Sequence, residues 1–333
     1  MGMLIDGKWQ SNVDRFMQDG AFRREPSALP KTSVEDIARR LESKAHLSLV
    51  LSQSCPWCHR VALVRAVKGI ASLRITGAGG PRTEGYRLTD PSPQSGLGLP
   101  VEFVHQLYTR TDPTYTGRAT VPVLWDGRAQ YIVSNSSHSI ARALDRIGSG
   151  WRLRPQHQSA EIDAINTRLY AGLANAVYRA GFATTQTAYA DAEETVFETL
   201  EWLDSHLADR RCLLGAQITE ADLFLFATLV RFDAVYATLF RCTRRRLVDH
   251  PVVWAYTRDI YGWPGVAGTI DFAANLASYF LNDTDNNPHG IIPALPHLNW
   301  TAPHGRDRLG PLMVWQGDGL RPFEDCSEEP NAP

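Results

Sequence analysis

The spacing of apolar residues changes character three times along the chain. Up to residue 44 the sequence is polar, with scattered aromatics and no sustained period, and it reads as an N-terminal extension, residues 1–44, wrapped over a domain. From His46 a run of strand length begins, Leu47-Ser48-Leu49-Val50-Leu51-Ser52. Ser54-Cys55-Pro56 follows: Pro56 suits the first position of a helix and Gly69 its end, with Val61, Ala62, Leu63, Val64 and Val67 making it mostly buried. Ala71 to Ile75 reads as a second strand, and a strand–helix–strand crossover favours a parallel sheet. Residues 76–119 are rich in Gly, Pro, Thr and Ser, a long insertion with one helical patch around Val101–Tyr108. Thr120 to Trp125, the turn pair Asp126-Gly127 and Gln130 to Val133 predict a hairpin. Asn135 or Ser136 then caps a helix through Ile140 and Leu144. Strand–helix–strand, hairpin, helix is the order of a thioredoxin-like α/β domain, here residues 45–150.

After Gly148-Ser149-Gly150 the period lengthens. Ile162, Ile165, Leu169, Leu173 and Val177 recur at three- and four-residue steps, as do Val196, Leu200, Leu203 and Leu207. Thr219-Glu220-Ala221-Asp222 marks another helix start, and Val252–Ile260 a further helix. The expectation is an all-α substrate domain over 151–285 and a C-terminal extension over 286–333, rich in Asn, Pro and His before a Pro- and Glu-containing tail.

A length of 333 residues suits about two domains. With 44% hydrophobic and 21% charged residues the chain can bury a real core. Its formal charge of −2 argues against a nucleic-acid surface, which needs a basic excess. No apolar run approaches the ~20 residues of a membrane span, and the start lacks a signal-peptide pattern, so the expectation is a cytoplasmic protein. Five cysteines, Cys55, Cys58, Cys212, Cys242 and Cys326, form an odd count that does not suggest a disulfide framework. Lysine is scarce (Lys8, Lys31, Lys44 and Lys68), which points to a GC-rich genome.

Candidate chemistry concentrates at Cys55-Pro56-Trp57-Cys58, which follows a strand and opens a helix. A thiol there meets unpaired backbone N–H groups and the positive end of the helix dipole, and both favour the thiolate. Cys58, one turn on, is placed to attack a mixed disulfide formed at Cys55. With His59 the string also matches a c-type haem attachment site, but that needs export and an open segment. A zinc site would need a second Cys or His pair at ligand spacing. The expectation is therefore no metal and no haem. Val121-Pro122 is expected to be cis and to offer the Val121 backbone to a bound thiol.

Many strings in one order carry a resemblance: Leu4-Ile5-Asp6-Gly7, Cys55-Pro56-Trp57, Thr120-Val121-Pro122-Val123-Leu124-Trp125-Asp126, Val133-Ser134-Asn135, Ala180-Gly181-Phe182-Ala183-Thr184, Thr228-Leu229-Val230-Arg231-Phe232-Asp233 and Pro303-His304-Gly305-Arg306. Over nearly its whole length the chain resembles the glutathionyl-hydroquinone reductases, the omega-like xi class of glutathione transferases. The resemblance implies a thioredoxin-like domain plus a helical domain, paired as a homodimer. It implies a thiolate that attacks the sulfur of a thiol–hydroquinone thioether, leaving a mixed disulfide that a second thiol releases. Cys55 matches the nucleophile, and Tyr178 and Tyr279 match tyrosines placed over the aromatic ring; by periodicity alone both would be helix packing. Arg231 and His304 are read as structural partners.

Trp57, Tyr86, Val121, Pro122, Ser136 and Ser137 match the thiol-binding positions, with three departures. Cys58 stands where the family carries Ala. Ser136 stands where it carries a Glu that grips the γ-glutamyl amine. Tyr86 stands for a loop Trp. Glutathione or a substitute such as mycothiol is the implied co-substrate. Two alternatives stay open: a glutaredoxin-like dithiol oxidoreductase using Cys55 and Cys58, and a non-catalytic thiol- or aromatic-binding protein on the same fold.

Overall fold

The computed structural model describes residues 2–11, 13, 17–43, 46–148 and 150–324. Cys326 and the tail beyond residue 324 lie outside the described residues. The aperiodic N-terminal stretch holds more structure than its pattern suggested. Two short hairpins, β1 (Met3–Ile5) with β2 (Lys8–Gln10) and β3 (Met17–Gln18) with β4 (Ala21–Phe22), precede helix α1 (Val34–Glu42). The hairpins are too short to show a period. Helix α1 did carry a signal: Ser33 Oγ accepts from the Asp36 amide at 3.0 Å, and Ile37 and Ala38 are buried where α1 packs on a later helix. At Gly7, with φ at +71°, a Cβ would fall 1.9 Å from the Pro113 carbonyl oxygen, so glycine lets the first hairpin lie against residues 113–117.

The central sheet follows. β5 (Leu47–Leu51) leads into α2 (Pro56–Val67), then β6 (Arg74–Gly79), β7 (Arg87–Leu88), α3 (Val104–Thr111), β8 (Val123–Asp126), β9 (Tyr131–Ser134) and α4 (Ser137–Ile147). The strand order is β7-β6-β5-β8-β9, with β5 and β6 parallel and the other neighbours antiparallel. β6 begins three residues later than Ala71 and runs to Gly79, through glycines that read as turn residues. Gly77 is tolerated there because Thr89 packs where its Cβ would be, at 2.6 Å from Oγ1. Helix α3 likewise starts after Val101, because the Gln106 side chain accepts from the Glu102 and Phe103 amides at 2.7 and 2.9 Å and so fixes the first turn. The Asp-Gly hairpin forms, with Asp126 Oδ1 accepting from the amides of Arg128 and Ala129.

This topology has one consequence for chemistry. β5 and β9 run the same way and β8 runs against both, so the end of β5, the start of β8 and the end of β9 share one sheet edge. Cys55, Val121-Pro122 and Ser136-Ser137 all lie there.

β10 (Trp151–Arg152) leads into the helices α5 (Ser159–Leu169), α6 (Ala176–Phe182), α7 (Gln186–His206), α8 (Glu220–Leu229), α9 (Pro251–Tyr261) and α10 (Phe272–Asn282). Two π-turns, Tyr170–Ala174 and Phe232–Tyr236, interrupt the helical run. The chain then returns: β11 (Met313–Gln316) pairs with β10 and with β12 (Gly319–Pro322). Ile162, Leu169, Leu173 and Val177 are buried, as are Val196, Leu200 and Leu203. Burying such side chains contributes roughly 1.5–3 kcal/mol each. One apolar cluster joins α2 and α4 to the helical half, and a second lies on the other face of the sheet around Val50, Tyr108 and Trp125. Among the described residues no helix is long and apolar enough to cross a membrane.

Candidate active site

Cys55 is the N-cap of α2, and its backbone is extended at φ −78° and ψ 115°. The Cys58 amide donates to Cys55 Sγ at 3.4 Å, and the thiol faces the Val121 carbonyl oxygen at 3.6 Å, across a cis Val121–Pro122 peptide. Burial pushes this thiol up, but hydrogen bonds from the Cys58 thiol and from the Cys58 and Trp57 amides, with the Arg231 charge, bring it down to about 7. Cys58 moves the other way. Burial raises it, and the neighbouring Cys55 sulfur raises it further. The first thiol of the pair is the acidic one, because helix amides reach Cys55 and not Cys58.

Behind the cysteine lies Arg231, 3% exposed. Its Nε donates to the Ser54 carbonyl at 3.2 Å, Nη2 to the Gln53 carbonyl at 2.8 Å and Nη1 to the Ala227 carbonyl at 2.6 Å. Nη1 also donates to His59 Nδ1 at 2.8 Å. Because Thr269 Oγ1 donates to the Val266 carbonyl, His59 Nε2 is the donor in its 2.8 Å bond to Thr269, and the imidazole is neutral. Burial, and then the Arg231 charge, hold that ring well below its ordinary value. Arg231 is thus a tie from the helical half to the loop carrying Cys55. His304 lies elsewhere, accepting from the Arg306 amide at 3.1 Å.

The opposite wall is aromatic. Tyr178 and Tyr279 are brought together, hydroxyl to hydroxyl at 2.6 Å, and a third phenol continues the chain, Tyr236 to Tyr279 at 3.2 Å. Burial raises all three phenols and keeps them protonated donors. The Tyr178 ring lies 5.3 Å from Trp57 and 5.1 Å from Phe240. Tyr236 escaped the sequence reading because it sits in a π-turn, outside any helical period. Arg24 also escaped it: its guanidinium stands 4.2 Å from the Trp57 ring.

The remaining positions line the sheet edge and its loops. Tyr86 is covered by the Arg82 guanidinium at 4.2 Å, and burial raises its phenol. Arg82 Nη2 and Ser278 Oγ both donate to Ser54 Oγ, at 3.2 and 2.9 Å. Ser136 is the N-cap of α4, and its Oγ accepts from the Ser139 amide at 3.2 Å. Ser137 is buried and makes no side-chain hydrogen bond among the described residues. Trp57 packs against both apolar clusters, so it joins the two walls.

Two family descriptions match the chain: Glutathione S-transferase, N-terminal domain, over residues 54–147, and Glutathione S-transferase, C-terminal domain, over residues 186–259. The Escherichia coli glutathionyl-hydroquinone reductase YqjG is 38% identical over 92% of this chain and 99% of its own. The chain belongs to this reductase group of the glutathione transferases. A second glutathionyl-hydroquinone reductase, PcpF of Sphingobium chlorophenolicum, is 38% identical over 89% of this chain and 96% of its own. Among solved structures, glutathione-bound YqjG superposes with a TM-score of 0.77 at 36% identity, covering 92% of this chain and 99% of that one. The xi-class transferase of Natrialba magadii gives 0.78 at 33%, covering 92% and 97%. The glutathionyl-hydroquinone reductases are thiol-dependent reductases, which places the thiol at Cys55 and the aromatic wall opposite it in the setting of an enzyme fold.

Proposed function

We propose that the protein reduces thioethers between a low-molecular-weight thiol and a hydroquinone-like aromatic, with Cys55 as nucleophile. The Cys55 thiolate attacks the thioether sulfur, and the ring carbon–sulfur bond breaks. Its electron pair passes to the ring carbon, which takes a proton, and a Cys55 mixed disulfide remains. The thiolate of a second thiol then attacks that disulfide and leaves as a small-molecule disulfide, returning Cys55. Tyr178 and Tyr279 face the ring oxygens, and the one hydroxyl proton their chain leaves free donates there and stabilises the keto tautomer from which sulfur is removed. The observation that carries this reading is the acidic thiol at an N-cap, opposite a chain of protonated phenols held by the helical half of the fold. Mass spectrometry after one turnover tests it: the thiol's mass should remain on Cys55, and Cys55→Ser should carry none. Adduct at another residue would overturn it.

The thiol is glutathione or a relative of it, held by Trp57, Tyr86, Val121, Pro122, Ser136 and Ser137. Ser136 brings no carboxylate to an amine, and its oxygen already accepts from Ser139. We read this as weak use of glutathione and better use of a thiol such as mycothiol, whose sugar hydroxyls suit neutral partners. A higher kcat/KM with the glutathionyl than the mycothiolyl derivative of one quinol would overturn that part. A second reading has its own observation: the Cys58 amide and thiol both face Cys55, so Cys58 resolves the mixed disulfide as a glutaredoxin-like dithiol would. Loss of turnover in Cys58→Ala would support it, and full activity would discard it. We place the protein in the cytoplasm as a homodimer, supported by its family; sedimentation tests the second part.

A further inference from the structure

The aperiodic segment after β4 carries a cation to the aromatic wall. The Arg24 guanidinium lies 4.2 Å from the Trp57 ring centroid and 5.3 Å from that of Tyr178, the two rings that join the halves of the site. Its Nε donates to Asn175 Oδ1 at 3.0 Å, at the point where the first π-turn ends and α6 begins. That bond orients the head and leaves both Nη groups without a hydrogen-bond partner among the described residues. The segment itself is anchored: Ser27 Oγ accepts from Asn135 Nδ2 at 2.7 Å, Leu29 is buried, and Thr32 Oγ1 donates to the Val133 carbonyl.

The other charges near the site are engaged. Arg231 is held by backbone carbonyls and His59, and Arg82 by Ser54 and the face of Tyr86. The three phenols are neutral donors. A negative charge on a ring lying along this wall therefore meets the exposed Arg24 guanidinium, whose Nη groups are open to it, whereas Arg82 is held against Tyr86 on the thiol side.

We propose that Arg24 makes the site selective for anionic aromatics: quinol conjugates carrying a carboxylate or an ionised acidic phenol are preferred over uncharged ones. This deepens the reductase reading and rests on it.

The test compares glutathionyl conjugates of 2,5-dihydroxybenzoate and of unsubstituted hydroquinone on the full-length protein, with Arg24→Gln and Arg24→Lys beside the wild type. The wild type should favour the carboxylate severalfold, roughly two- to fivefold, in kcat/KM, in line with an ion pair to an exposed guanidinium. Arg24→Gln should erase most of that ratio, chiefly through KM, and Arg24→Lys should keep part of it. The ratio should also shrink as salt rises. Equal loss on both conjugates in Arg24→Gln, or no preference in the wild type, would overturn the inference. If the wild type turns over neither conjugate nor their mycothiolyl counterparts, the reductase reading fails by itself. Calorimetric binding of free 2,5-dihydroxybenzoate against hydroquinone, in wild type and Arg24→Gln, then decides the charge selectivity: a preference lost in the variant supports it, and equal binding overturns it.

Discussion

The two walls of the site are built on different physical plans. The sulfur wall is local: an N-cap thiol, two amides of the same helical turn and one carbonyl from the adjoining strand end make Cys55 what it is. The tyrosine wall is assembled over distance. Tyr178, Tyr236 and Tyr279 come from α6, a π-turn and α10, and their hydroxyls meet only because three helical segments converge. Local construction makes the acidic thiol robust and legible. Distributed construction makes the aromatic wall sensitive to how the helices dock.

Substitutions on each wall should therefore separate reactivity from turnover. Cys55→Ser should have the largest effect, a loss of at least ~10³-fold in turnover, because a hydroxyl replaces the ionised sulfur. Tyr279→Phe, which breaks the hydroxyl chain at its middle, should cost about 10²-fold in kcat. In that variant the rate of Cys55 alkylation should stay at the wild-type value; a matching drop would dissolve the distinction between the walls. Arg231→Leu spans both. It leaves the Gln53 and Ser54 carbonyls unpaired, so stability should fall by ~1–3 kcal/mol, read from denaturant midpoints. Its alkylation profile should also shift upward in pH. The smallest effect concerns the pair of thiols. In the wild type, Cys55 labelling should rise with pH through a midpoint near 7, as the thiol gives way to thiolate, while Cys58 labels only well above that. Cys58→Ala removes one hydrogen bond to the sulfur and should move the Cys55 midpoint up by less than a unit. Faster labelling of Cys58 near neutrality would reverse the assignment.

The same contrast sets what the sequence reveals. Cys55 at a helix start, the Asp126-Gly127 hairpin and the capping residues Ser136 and Thr219 are all readable, because each depends on neighbours a few positions away. Helix α1 was legible in principle through Ser33 and Asp36, yet lies among residues whose hydrophobic period is short. β6 was misplaced because its glycines are explained by Thr89, a partner twelve positions beyond Gly77. Tyr178 and Tyr279 came through resemblance alone. Nothing local marks Tyr236 in its π-turn, or Arg24 in a stretch without period. Arg231 looked structural because its partners, Gln53 and Ser54, stand some 178 positions away. Contacts of that range leave no trace in local spacing.

The unequal acidity of the two thiols also sets an order of events. Cys58 is kept protonated partly by the sulfur beside it, through a hydrogen bond and through charge. Once Cys55 is tied up in a mixed disulfide, that sulfur carries no charge, and both restraints lapse together. Cys58 then becomes a better acid only after Cys55 has reacted. On the mixed-disulfide reading, the helix turn thus ranks the two sulfurs: the second loses its neighbour's hold only when the first has reacted, while burial still raises it.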